Sequence, residues 1–238
     1  MKAFLLAAGL GTRLQPITNI TPKCLVEVAG RPMLDYWFSI FRKYGITEVL
    51  INLNHFPDQV KEYIQNNSSD INVTLVYEEK LLGSLGTLLK NQKFVENEKS
   101  FFVFYSDTLT NINLKEMYEV HQHANKLFTM GLFRSNNPSS CGIVKLDASG
   151  CIIDFEEKPT KPKSELANAG VYIIEYEVLK TIKVESDKLL DIGFDLLPKF
   201  INNMQGYLID DFIIDMGTHA NLAFANDYVS KNQDIFNF

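Results

Sequence analysis

The sequence predicts an α/β protein with a mostly parallel central sheet, helices on both faces, and a small mixed or antiparallel layer beside it. Three observations lead there. Strand and helix patterns alternate four times over the first half of the chain, and such alternation makes parallel strands covered on both sides. After the helix that closes this half, the rhythm changes to short strands separated by turn-forming residues, which makes an antiparallel or mixed layer. Finally, 46% of the 238 residues are hydrophobic, enough for one sizeable core in a single folding unit spanning residues 1–238.

Taken in order, Lys2–Leu6 reads as a short buried strand, and a helix runs from near Pro32 to about Tyr44, where Gly45 ends it. A strand at Glu48–Leu53, a helix from Pro57 to about Gln65 and a strand at Ile71–Tyr77 follow. A helix near Leu85–Asn91 then leads into a strand at Phe101–Ser106. In such Rossmann-like sheets ligands gather at the carboxyl ends of the strands. A helix over Asn113–His123 precedes four strands, Leu127–Phe133, Cys141–Leu146, Cys151–Phe155 and Ala167–Ile174, punctuated by Asn-Asn-Pro and Asp-Ala-Ser-Gly. Phe194–Asn203 reads as a helix with Pro198 in its first turn and Asp195 as its cap. Ile213–Ile214 is a short strand with Asp215 at its exit, and His219–Val229 is the last helix.

Composition removes several function classes. Net charge is −6 with no run of Lys and Arg, so a nucleic-acid surface is not expected. Cys24, Cys141 and Cys151 are odd in number and lack CxxC spacing, which points to buried thiols rather than disulfides or zinc ligands. The apolar run at the N-terminus is too short for a signal peptide or a membrane span, so the expectation is a cytoplasmic protein without membrane contact. His121 and His123 lie two apart on a helix and point in different directions. His55 and His219 read as structural or surface residues.

The segment after the first strand carries chemistry. Leu6-Ala7-Ala8-Gly9-Leu10-Gly11-Thr12-Arg13-Leu14 matches only two glycines of a dinucleotide fingerprint, because Leu14 stands at the third position. Glycine lets backbone amides approach phosphate oxygens. Arg13 adds a fixed guanidinium, which suits a more highly charged triphosphate, and Pro22 restrains the backbone that aims Lys23.

These residues, followed by Pro22-Lys23 and Gly30-Arg31-Pro32-Met33, resemble the signature of the sugar-1-phosphate nucleotidylyltransferases. The resemblance runs on in the family's order through Leu82-Gly83-Ser84-Leu85-Gly86, Ser106-Asp107, Cys141-Gly142-Ile143-Val144, Phe155-Glu156-Glu157-Lys158-Pro159, Asn168-Ala169-Gly170-Val171-Tyr172 and Ile214-Asp215-Met216-Gly217-Thr218. It implies that a nucleoside triphosphate and a sugar 1-phosphate react to give a nucleoside-diphosphate sugar and pyrophosphate.

On the same resemblance, Leu6, Ala7, Ala8, Gly9, Gly11, Thr12, Gly83 and Ser84 contact the nucleotide, and Arg13 and Lys23 are the catalytic cations. Gly142, Glu157, Lys158, Asn168 and Gly170 belong to the sugar-phosphate pocket. Asp107 and Asp215, each at a strand exit, are natural holders of Mg2+, although each alone reads equally well as a helix cap or turn residue. The nucleotide-binding half is expected at about 1–125 and the sugar-binding half at about 126–238. The resemblance also implies a homodimer.

Departures from the family pattern bear on substrate identity. Ser106 stands where glycine usually precedes the metal aspartate, Cys141 where an aromatic usually precedes Gly142, and Ser84-Leu85 where Thr-Ala is common. Asn54–Ile64 and Thr108–Leu114 most resemble guanylyltransferases acting on mannose or heptose 1-phosphate. The alternatives are a uridylyl- or cytidylyltransferase for another sugar 1-phosphate or phosphorylated amino alcohol, and a catalytically silent nucleotide-sugar sensor.

Overall fold

The structure is a computed structural model that describes residues 1–67, 70–182 and 188–236. In chain order the elements begin β1 (Lys2–Leu6), β2 (Glu27–Val28), β3 (Arg31–Pro32), α1 (Met33–Lys43), β4 (Glu48–Leu53), α2 (Pro57–Asn67) and β5 (Asn72–Tyr77). Next come α3 (Ser84–Lys90), β6 (Ser100–Tyr105), β7 (Thr108–Thr110), α4 (Leu114–Ala124), β8 (Phe128–Arg134), β9 (Gly142–Leu146), β10 (Ile152–Glu157) and β11 (Leu166–Glu175). The chain finishes with α5 (Tyr176–Thr181), β12 (Met204–Leu208), β13 (Ile213–Asp215), α6 (His219–Lys231) and α7 (Gln233–Phe236). The fold is of the mixed α/β class.

Two compact units divide the residues. The first comprises Met1–Leu81, Phe104–Ile112 and Asp211–Phe238. Here β1 pairs in parallel with β4, and β4 with β5, with Lys2 opposite Glu48 and Glu48 opposite Asn72. The strands β1 and β4 are buried along nearly their whole length, as apolar parallel strands must be. Trp37 and Phe41 of α1 pack on Phe104, with ring centroids 4.7 and 5.5 Å apart. Gly45 ends α1 in a left-handed conformation, φ 67°.

A second cluster in this unit gathers Leu14, Val26, Leu109 and Met216 with Tyr36, Leu222, Val229 and Phe236. Each of the first four lies within three residues of a charged side chain that matters below: Arg13, Lys23, Asp107 or Asp215. Burial of apolar neighbours is therefore what fixes the backbone under the charges.

The second unit comprises Leu82–Val103 and Asn113–Asp210. Its strands β8 and β11 pair antiparallel, as do β9 and β10, while β12 runs parallel to β8. The register between β11 and β8 shifts between Asn168 and Tyr172. Gly170 inside that bulge has φ 70°, a conformation that favours glycine.

Several expectations need correction. The expected helix over Phe194–Asn203 is instead a π turn at Ile192–Leu196 followed by a 3-10 turn at Leu197–Phe200. Its cap is Asp191, whose carboxylate accepts the amides of Gly193 and Phe194, while Asp195 accepts the Asp191 amide and pairs with Lys188. Asn202, at φ 70°, turns the chain into β12, a strand the sequence pattern did not reveal. The thiols of Cys24 and Cys151 are buried, and burial pushes Cys24 up to about 12, but Cys141 is only half-buried. The histidines behave as expected: His121 is buried against Thr129 and Glu175, whereas His123 is exposed. No helix among the described residues is long and apolar enough to cross a membrane.

Candidate active site

In the first unit the loop after β1 is tied down at its start, where the Ala7 amide donates to Asn52 Oδ1 at 2.8 Å and Asn52 Nδ2 donates to Glu78 Oε1 at 2.9 Å. Leu6, Ala7 and Ala8 are buried, and Gly9 emerges exposed. Gly11 has φ 66°, and a Cβ there would lie 2.7 Å from Thr18 Cγ2 and 3.3 Å from Lys23 Cβ. Only glycine fits this approach. Its carbonyl accepts both the Leu14 amide and the Thr18 hydroxyl at 2.8 Å, which closes a 3-10 turn over Thr12–Leu14. That turn faces Leu14 into the core and leaves the Arg13 side chain 65% exposed.

Lys23 follows Pro22, whose φ of −64° and ψ of 144° start a second 3-10 turn over Lys23–Leu25. Its side chain is only 10% exposed. The ammonium donates to Asp107 Oδ2 and lies 4.0 Å from Asp215 Oδ1.

The two aspartates reach this point by strand pairing. Asp215 stands opposite Thr108 in the antiparallel pair of β13 and β7, and the Met216 amide donates to the Asp107 carbonyl at 2.8 Å. Neither caps a helix, since Asp107 leads into β7 and the cap of α6 is Thr218, whose hydroxyl accepts the Asn221 amide. Arg13 Nη2 lies 3.8 Å from Asp215 Oδ2. Burial and the neighbouring Asp107 charge push the Asp215 carboxyl above its ordinary value, against the pull of Lys23, Arg13 and the Gly217 amide.

Four of the predicted residues, Arg13, Lys23, Asp107 and Asp215, thus converge on one cluster. Two carboxylates crowded enough to raise a proton affinity, with hard oxygen donors, suit a divalent cation that takes one or two carboxylates. No group of three or more metal-ligating His, Cys, Asp or Glu residues exists among the described residues, so further ligands would be water or phosphate oxygen. Sequence reasoning missed Gly217 as part of this cluster: a Cβ there would lie 2.5 Å from Arg13 Nη2 and 2.9 Å from Asp215 Oδ1.

The second unit holds the remaining predicted residues. Gly83, at φ 80°, begins α3, and a Cβ on it would lie 2.2 Å from the Leu190 carbonyl oxygen, which accepts the Leu85 and Gly86 amides. The Ser84 hydroxyl donates to Asp191 Oδ2 and accepts the Ile192 amide, both at 2.8 Å. Its side chain is engaged within the protein.

Gly142 stands opposite Glu157 across the β9–β10 pair. Burial, with a contribution from Asp191, pushes the Glu157 carboxyl above its ordinary value in spite of Lys158. Lys158 has φ 49°, donates its amide to the Cys141 carbonyl at 3.0 Å, and carries its ammonium 6.0 Å from the centre of the Phe194 ring.

Asn168 donates to the Tyr172 hydroxyl at 2.6 Å and accepts the Gly170 amide at 3.0 Å. The Tyr172 hydroxyl is buried, and its proton affinity is raised by burial first and then by the charges of Glu157 and Asp191. Glu157, Asn168, Gly170 and Gly142 are therefore gathered, with Tyr172, Asp191 and Gly193 as partners the sequence did not single out. An aspartate followed two residues later by glycine is a turn signal, and the neighbouring Asp195 masked it as the cap.

The model of the family described as Nucleotidyl transferase matches residues 2–232. The chain is 30% identical over 221 residues to the mannose-1-phosphate guanylyltransferase catalytic subunit beta of Drosophila pseudoobscura pseudoobscura, covering 91% of this chain and 59% of that protein. It is also 30% identical over 220 residues to the UTP–glucose-1-phosphate uridylyltransferase of Synechocystis sp., covering 85% of this chain and 56% of that protein. The chain thus spans somewhat over half the length of these relatives. Among solved structures, a protein assigned as a glucose-1-phosphate thymidylyltransferase from Bacillus anthracis, in complex with sucrose, superposes with a TM-score of 0.86 at 26% identity. That match covers 96% of this chain and 94% of the other.

Proposed function

The chain belongs to the nucleotidyl transferase family, and on that premise we propose that it transfers a nucleoside monophosphate from a nucleoside triphosphate to a sugar 1-phosphate in the cytoplasm. The observation that carries the proposal is the meeting of Lys23 and Arg13 with Asp107 and Asp215. In this reaction a phosphate oxygen of the sugar 1-phosphate attacks the α-phosphorus, the bond to the bridging oxygen breaks, and pyrophosphate leaves with the electron pair. The nucleophile is already ionised, so the barrier lies in charge repulsion and alignment rather than in a missing base.

Cations are what such a step needs. Lys23 bears on the α-phosphate as charge builds there, and Arg13 holds the β- and γ-phosphates that depart. The loop Leu6–Thr12 offers backbone amides to the same phosphates, with Gly83 and Ser84 beside the base and ribose. Asp107 and Asp215 would hold Mg2+, which neutralises phosphate charge when bound. In the sugar pocket Glu157 accepts hydrogen bonds from sugar hydroxyls, Lys158 binds the sugar phosphate, and Gly142, Asn168 and Gly170 shape the walls. On the same reading the nucleotide-binding half is proposed at about 1–125 and the sugar-binding half at about 126–238.

The preferred pair is GTP with mannose 1-phosphate, supported by the likeness to the Drosophila guanylyltransferase. UTP with glucose 1-phosphate is the second reading, because the Synechocystis relative is equally similar. A homodimer is the proposed assembly. The deciding experiment measures pyrophosphate release for four nucleoside triphosphates against a panel of sugar 1-phosphates with Mg2+. Release with GTP and mannose 1-phosphate is expected; nucleotide binding without release from any pair would leave a sensor in its place.

A further inference from the structure

We propose that Gly193, held in place by Asp191, is a positioning residue that sets where Glu157 presents its carboxylate; the inference rests on the reading of Glu157 as the acceptor of sugar hydroxyls. The carboxylate is wedged between two glycines from distant parts of the chain. A Cβ on Gly142 would lie 2.6 Å from Glu157 Oε2, and a Cβ on Gly193 would lie 2.7 Å from the same oxygen and 3.0 Å from Cδ. Backbone therefore closes on Glu157 from both sides, at distances no side chain would permit.

The turn carrying Gly193 cannot retreat. Asp191 Oδ1 accepts the amides of Gly193 at 2.8 Å and Phe194 at 3.2 Å. Its Oδ2 accepts the Ser84 hydroxyl, which in turn accepts the Ile192 amide. The turn is thus bolted to the start of α3, and through it the position of Glu157 depends on Ser84 and Asp191.

Glu157 has no hydrogen-bond donor among the described residues, and what acts on it is burial and the charges of Lys158 and Asp191. A half-buried carboxylate without donors is unfavourable unless a ligand supplies them. A carboxylate, as a hydrogen-bond acceptor only, suits the hydroxyls of a polyol ring. A side chain at 193 would meet the free end of the flexible Glu157 and, at 3.1 Å, Asp191 Oδ1, both side-chain atoms rather than backbone, so the fold survives while the more crowded Glu157 carboxylate swings away. Gly142 does not offer so clean a test, because a Cβ there would also lie 2.9 Å from the Phe155 ring.

The test is steady-state kinetics on the full chain with mannose 1-phosphate varied against saturating GTP, or glucose 1-phosphate against UTP if that is the pair wild type turns over. We expect Gly193→Ala to raise KM for the sugar phosphate at least about tenfold, to change KM for the nucleotide by less than about twofold, and to shift Tm by less than about 2 °C. Glu157→Gln should raise the same KM, and adding Gly193→Ala to it should raise it no further, because the displaced group has already lost its charge. An unchanged sugar KM in Gly193→Ala, or independent multiplication of the two effects, overturns the positioning role while leaving the reading of Glu157 intact. An unchanged KM in Glu157→Gln overturns that reading and the inference with it, and no turnover by wild type with either pair removes the proposed activity itself.

Discussion

The Lys23 ammonium grips the Asp107 carboxylate across 84 residues of sequence. The side chain of Lys23 is only 10% exposed and that of Asp107 30%, so the contact is partly shielded from water. Replacing Lys23 by alanine should lower turnover by about 10²–10³, the usual cost of removing one preorganised charge donor. Pyrophosphate release under saturating substrates measures it, and a rate close to wild type would strike Lys23 from the machinery.

Asp215 gives a signed dependence on pH. Its carboxyl is pushed above the ordinary value by desolvation and by Asp107, while its side chain is 53% exposed, so its charged form is mildly disfavoured in the folded protein. The resulting penalty is absent below the unfolded value, sets in as pH rises through the window between the unfolded and folded values, and is complete above it. In metal-free buffer Asp215→Asn should therefore raise Tm at pH 7, with no gain at a pH below that window. Adding Mg2+ should raise Tm of wild type and leave Asp215→Asn unmoved. A metal-dependent rise of equal size in both proteins would place the ion elsewhere.

Gly217 allows the Arg13 guanidinium to come close to Asp215. With an added methyl, the exposed Arg13 head must move while the backbone stays in place. Gly217→Ala should lower kcat/KM for the nucleotide by about tenfold, equivalent to about 1.4 kcal/mol, with KM for the sugar phosphate unchanged. Circular dichroism of the variant should match wild type.

Gly83→Ala is expected to act on stability instead. Both the positive φ and the approach of 2.2 Å to the Leu190 carbonyl oxygen forbid a Cβ, and here the obstacle is backbone. A loss of about 3 kcal/mol is expected, or a fall in Tm of roughly 6–12 °C for a chain of this length. Thermal unfolding without ligands tests it.

Glu157 should make sugar binding pH-dependent. Because its carboxyl is raised, the acceptor loses its charge at a higher pH than an ordinary glutamate. The advantage of wild type over Glu157→Gln in sugar-phosphate KM should shrink as pH falls through that raised value, a comparison that cancels titration of the substrate itself. A constant ratio would show that the charge is not used.

Much of this was legible in the sequence because it rests on local rules. The buried strands β1 and β4 announce themselves as apolar runs, and α1 is bounded by Pro32 and Gly45. Arg13, Lys23, Asp107 and Asp215 were legible through the family resemblance, and each lies within three residues of an apolar residue of the core. What stayed hidden depends on contacts between distant segments. Strand β12 exists through its pairing with β8, and its own pattern is too weak to declare it. Asp191 becomes a cap through geometry that Asp195 imitates on paper, and Gly193 and Gly217 acquire meaning only from the side chains that crowd them.

The first unit is assembled from three stretches, Met1–Leu81, Phe104–Ile112 and Asp211–Phe238, with the second unit intervening. During synthesis on the ribosome, β1, β4 and β5 emerge before β7, yet β7 must wait for β13, which is translated only after the elements of the second unit. A nascent chain therefore carries Asp107 through more than a hundred further residues of elongation before the strand that brings Asp215 beside it is made, and the paired carboxylates are completed only then.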